Sequence, residues 1–236
     1  MMDLQPLPMD HGGTVHQGLI ALPEDTRPAP AILIFPTFSG VDLLAREAAE
    51  RLVGWGYGAI VCDVYGEGRT GQTREESSAL MRPFIEDRAR LRAVLVAWAD
   101  AARKAQGVDA SRLAAIGFCF GGLCALDLAR AGADVRAVAS FHGLFTPTGL
   151  PAEPIKAKIA VYHGWDDPMA TPDQFVALGR ELTDAGADWQ AHAYGGTMHG
   201  FTSPRAAAPE LGVLYNAVSA ERAWASLRSF LEEALR

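Results

Sequence analysis

Cys119 lies between two glycines in Gly117-Phe118-Cys119-Phe120-Gly121, with an apolar run before it and a helical pattern after it. Gly-x-Cys-x-Gly is the spacing of a nucleophile elbow, with sulfur in place of the usual serine oxygen. The spacing has a steric cause. A nucleophile on a sharp strand-to-helix turn sits in a strained backbone conformation. The residues two before and two after it are forced close, so both must be nearly without side chains. The turn also sets Cys119 at a helix start, where unpaired N–H groups and the helix dipole favour a thiolate and a developing oxyanion. A Gly-rich turn of this kind can also cradle a phosphate, or simply bury a cysteine. The rest of the chain decides.

A cysteine nucleophile needs a base to manage its proton and a third group to orient that base. In open α/β sheets these groups lie at the carboxyl ends of strands, and after an elbow the chain order is acid, then histidine. The acid is expected after the apolar run Ile155–Tyr162, where His163-Gly164-Trp165-Asp166-Asp167-Pro168 stands. Only one of two adjacent aspartates can face a site. Asp167 is favoured because Pro168 fixes the turn behind it, while Asp166 serves the turn alone. Of the six histidines, His11 and His16 precede the core and are expected to be solvated. His142 and His163 end strands and can border the site, but both precede the acid; His192 falls inside a strand. His199, in Gly195-Gly196-Thr197-Met198-His199-Gly200-Phe201, follows the last strand, and its glycine neighbours let the loop carry an imidazole over the elbow. The oxyanion is then expected at the Phe120 N–H and at one amide of the loop after Ile32–Phe35, for which Phe38 is the candidate.

These groups need strands that end together. Ala31–Phe35, Ala59–Asp63, Leu113–Phe118, Val135–Phe141 and Ile155–Tyr162 are apolar runs typical of strands buried on both faces. Thr14–Leu22 reads as an edge strand leading to a turn over Pro23–Pro30, and Trp189–Tyr194 as the last strand. Helices are expected over Leu43–Trp55, from Thr73 to Ala105 with an interruption near Pro83, after the elbow, from Thr171, and over Tyr215–Leu235. Gly195–Pro209 reads as loop. The alternation predicts an α/β protein with a mainly parallel sheet and helices on both faces, as one domain over residues 1–236.

Composition narrows the function classes. The 236 residues are 49% apolar and 21% charged, as in soluble globular proteins. A formal charge of -7 without a Lys/Arg cluster argues against nucleic acid as partner, and no run reaches the ~18 apolar residues of a membrane span. Three cysteines without disulfide spacing and an N-terminus without an apolar core suit the cytoplasm. Cys124 lies more than a helical turn beyond Cys119, a poor zinc pair, and is expected in the core. Neither a metal nor an organic cofactor is implied.

Four blocks carry a resemblance: Ile116-Gly117-Phe118-Cys119-Phe120-Gly121-Gly122, Ser140-Phe141-His142-Gly143, His163-Gly164-Trp165-Asp166-Asp167-Pro168 and His199-Gly200-Phe201. In this order they resemble the dienelactone hydrolase family, the carboxymethylenebutenolidases. The resemblance implies the α/β-hydrolase fold and a Cys–His–Asp triad falling on Cys119, His199 and Asp167. It implies hydrolysis of a small ester or lactone through an acyl-enzyme. The chain itself is expected to act on a small molecule as a monomer or small homo-oligomer. Where the family carries a glutamate that helps generate the thiolate, this chain has Thr37, which cannot act as a base. Arginines that hold a substrate carboxylate in the family have Arg205, offset from the expected place, and Arg82 as their counterparts. The missing glutamate motivates a second reading, a ligand-binding or scaffold protein that keeps the fold without turnover.

Overall fold

The computed structural model describes residues 2–25, 28–151 and 153–236; residues 26 and 27 of the expected Pro23–Pro30 turn lie outside this set. Eight strands form one sheet: β1 (Gln5–His11), β2 (Thr14–Ala21), β3 (Ala29–Phe35), β4 (Gly58–Val61), β5 (Val108–Phe118), β6 (Ala137–Phe141), β7 (Lys158–Gly164) and β8 (Trp189–Tyr194). Their spatial order is β1-β2-β4-β3-β5-β6-β7-β8. The β1–β2 and β2–β4 pairs are antiparallel and the rest parallel.

Strand alternation divides the core in two. Leu33, Phe35, Ala115, Val138 and Val161 face one side, where α2 (Arg74–Glu86), α3 (Arg88–Lys104), α4 (Phe120–Arg130) and α5 (Pro172–Asp184) pack. Ile32, Ile34, Ile116, Ala139 and Tyr162 face the other, against α1 (Leu43–Gly54) and α6 (Ala217–Ala234). Both faces are covered, which is why β3, β5 and β6 read as continuous apolar runs.

Four expectations need correction. Thr14–Leu22, expected at the sheet edge, is the interior strand β2, because the segment before it forms β1, whose Pro6 and Pro8 are tolerated at the true edge. Pro83 sits inside α2, and the break comes at Asp87, which caps α3 by accepting from the Arg90 N–H at 2.9 Å. His16 is buried, its Nδ1 2.7 Å from the Asp63 carbonyl oxygen. The Gly195–Pro209 stretch contains β9 (Ala207–Ala208), which pairs with β10 (Val213–Leu214) as a small antiparallel flap. Cys124 is buried within α4, as its spacing predicted.

Candidate active site

Cys119 joins β5 to α4 with φ 56°, a left-handed conformation that a side chain rarely adopts. The backbone closes tightly around it. A Cβ on Gly117 would lie 1.8 Å from the Gly121 carbonyl oxygen, and a Cβ on Gly121 2.0 Å from that of Phe35. The two glycines of the motif are therefore steric necessities, one for the turn itself and one for its seat against β3. The Cys119 N–H donates to the Phe141 carbonyl oxygen at 3.0 Å and to His142 Nδ1 at 3.1 Å.

His142, itself at φ 37°, reaches its Nε2 to Thr202 Oγ1 at 2.8 Å. Accepting at Nδ1 leaves Nε2 as the donor of a neutral ring. Burial first, then the neighbouring His199, keeps its pKa well below the ordinary 6.5. His163 is likewise depressed to about 4, chiefly by burial, with Asp167 pulling the other way and His199 adding to the depression. Only His199 of the three is arranged to carry charge.

The acid and the histidine come from the ends of β7 and β8. Asp167 Oδ2 lies 2.7 Å from His199 Nδ1, and both side chains are buried. The other carboxylate oxygen accepts the Met169 N–H at 2.8 Å. Asp166 is exposed. The flap fixes His199 from behind: its N–H donates to the Gly212 carbonyl oxygen at 2.9 Å, and its carbonyl accepts from the Leu214 N–H at 3.1 Å. His199 Nε2 is buried without a conventional hydrogen bond and has Cys119 as its electrostatic partner. Burial disfavours the imidazolium, but the Cys119 charge, the Asp167 hydrogen bond and the interaction with the Cys119 thiol outweigh it and push His199 up to about 10.

Phe38 lines the same cavity as Cys119, and Phe120 follows the cysteine in the chain. Phe120 is the first residue of α4, where amides have no intrahelical partner. Phe38 lies in a turn closed by the Gly40 N–H on the Thr37 carbonyl oxygen at 3.1 Å, and the Tyr65 hydroxyl donates to the Phe38 carbonyl oxygen at 2.8 Å. Thr37 lines the cavity, but its hydroxyl donates to Asp42 Oδ2 at 2.5 Å. Arg205 also reaches the wall, bound to Glu47. Arg82 is exposed on α2 and is not among the lining residues. The cavity above Cys119 and His199 measures about 650 Å³, within the range of small-molecule sites. Sequence reasoning missed its apolar walls, Met81, Leu144, Met169 and Leu211, and the carboxyl of Asp42, because each comes from a different element.

The family model for the dienelactone hydrolase family matches residues 16–235. The chain belongs to the dienelactone hydrolase family. It is 28% identical over 161 residues to carboxymethylenebutenolidase 1 of Cupriavidus pinatubonensis, covering 64% of each chain. An uncharacterized protein of Caenorhabditis elegans is 39% identical over 150 residues, 61% of this chain and 94% of that one. Among solved structures, a dienelactone hydrolase-like promiscuous phosphotriesterase from metagenomic libraries superposes with a TM-score of 0.92 at 31% identity, covering 99% of both chains. With the sheet order above, this gives the chain the α/β-hydrolase fold. No helix among the described residues is long and apolar enough to cross a membrane.

Proposed function

We propose that this family member hydrolyses a small carboxylic ester or lactone through an acyl-enzyme on Cys119. The observation that carries the reading is the buried Asp167–His199 pair, 2.7 Å apart, with His199 lining the same cavity as the elbow cysteine. The Cys119 thiolate attacks the carbonyl carbon, and the oxygen takes the electron pair as an oxyanion against the Phe38 and Phe120 amides. Collapse expels the alcohol oxygen, which takes the proton from the His199 imidazolium, leaving a thioester. Neutral His199 then removes a proton from water, whose oxygen attacks the thioester. The second collapse returns the sulfur as thiolate beside a protonated His199, and the acid departs. Asp167 orients the ring throughout and stabilises its charge.

Removing one oxyanion donor from a hydrolase costs roughly 3–4 kcal/mol of transition-state stabilisation, so two aligned amides are a large part of such a site's power. The cavity has the volume of a small-molecule site, and the name of the Cupriavidus relative points to a lactone bond. Cys119→Ala and His199→Ala are each expected to abolish turnover across a panel of activated esters and lactones while leaving the thermal melt near wild type. Retained turnover in either variant refutes the assignment.

A further inference from the structure

The cavity over Cys119 offers a substrate little uncompensated positive charge. Its apolar walls include Phe38, Leu43, Met81, Leu144, Met169 and Leu211, and its hydroxyl lining, as at Ser78 and Ser203, is neutral. Arg205 is a half-exposed cation of the wall near Asp42, and one end of its planar fork is taken. Nη1 donates to Glu47 Oε1 at 2.9 Å and Nη2 to Glu47 Oε2 at 2.8 Å. Both partners are half exposed, so the pair adds little to stability. Its consequence is charge balance. Holding Glu47 through Nη1 and Nη2 balances the guanidinium's charge and leaves only its Nε edge for a second carboxylate.

Asp42 completes the picture. It caps α1 through the Ala45 N–H at 2.9 Å and takes the Thr37 hydroxyl at its other oxygen. Burial raises its pKa, while the Thr37 and Ala45 hydrogen bonds and the Arg205 charge oppose that rise. Asp42 and Glu47 together give Arg205 two carboxyl neighbours. The remaining lining cation, Arg74, lies at the start of α2 and is exposed, as Arg205 is, so water and salt screen both. A substrate carboxylate entering this cavity would lose hydration and meet only cations that water screens or that Glu47 already holds.

We propose that the cavity selects uncharged esters with an apolar acyl or alcohol arm, and that Glu47 sets this preference by cancelling Arg205. The proposal rests on the reading of Cys119 as an ester-cleaving nucleophile and specifies the substrates it receives. The test compares matched pairs: 4-nitrophenyl pentanoate with the 4-nitrophenyl monoester of adipic acid, and methyl 4-acetoxybenzoate with 4-acetoxybenzoate. The wild type is expected to show kcat/KM about tenfold or more higher for the uncharged member of each pair. Glu47→Gln frees the guanidinium, so the ratio of charged to uncharged kcat/KM should rise about fivefold or more. Adding Arg205→Gln to that variant should return the ratio to its wild-type value.

Equal or reversed preference in the wild type overturns the proposal, as does a ratio unmoved by Glu47→Gln. Cys119→Ala, run on the same pairs, separates the two levels of the account. If it silences the activity while the charge ratio behaves wrongly, only the selection is refuted. If turnover persists without Cys119, or the wild type cleaves neither pair, the hydrolase reading fails and takes the selection with it.

Discussion

Asp167→Asn keeps the shape of the acid and removes its charge. In the folded chain Asp167 Oδ2 meets His199 Nδ1 at 2.7 Å, with both side chains buried. A hydrogen bond to a charged group contributes about 1.5–3 kcal/mol, and about 1.36 kcal/mol corresponds to one pKa unit. Because Asp167 favours the protonated ring, its loss should lower the His199 pKa from about 10 by roughly 1–2 units. The ratio of protonated to neutral His199 then falls roughly 10–100-fold near neutral pH. Turnover should fall further than alkylation, because an amide can also hold the imidazole in the wrong tautomer; the same change in a serine protease costs about 10⁴-fold. The assay is the iodoacetamide alkylation rate at Cys119 from about pH 5 to about pH 10, beside ester turnover. Asp166→Asn, at an exposed position, is the control. Superimposable profiles for wild type and Asp167→Asn, or a larger effect from Asp166→Asn, refute the reasoning.

Other outcomes follow from single contacts. Gly212 has φ +71°, and a Cβ there would lie 2.2 Å from Pro168 Cγ, so Gly212→Ala must displace the flap that holds His199 or the turn that holds Asp167. It should lower kcat/KM about tenfold or more with the sheet intact by circular dichroism. Asp127→Ala strands the buried Arg88, which Asp127 now meets at 2.5 Å, and should cost about 3–5 kcal/mol in a urea melt. The raised His199 contributes stability that is fully present below its ordinary pKa of 6.5 and is lost as pH rises through about 10. Urea midpoints across that window should therefore fall more in wild type than in His199→Ala.

The elbow was legible because its constraint is local. Gly117 and Gly121 each have backbone oxygen where a Cβ would sit, so the chain announces the turn within five residues. His199 and Asp167 were legible from chain order, since strand ends in a parallel sheet converge on one edge. β1 was not legible, because an edge strand with Pro6 and Pro8 and mostly exposed side chains carries no apolar period. His16 read as solvated because its partner, the Asp63 carbonyl, lies 47 residues away and belongs to another strand's end. The flap was hidden for a different reason: two-residue strands are too short to show alternation. The Glu47–Arg205 pair spans 158 residues, so the charge state of the cavity wall emerges only in three dimensions.

The central claim is a covalent bond between Cys119 and the acyl half of the substrate. Rapid quenching of the enzyme with an activated ester, followed by peptide mass spectrometry, reads that bond directly. The acyl mass is expected on the peptide carrying Cys119, appearing within one turnover and absent from Cys119→Ala, with the buried Cys62 and Cys124 unmodified. Turnover that proceeds with no adduct at Cys119, or with the adduct on another residue, would contradict it.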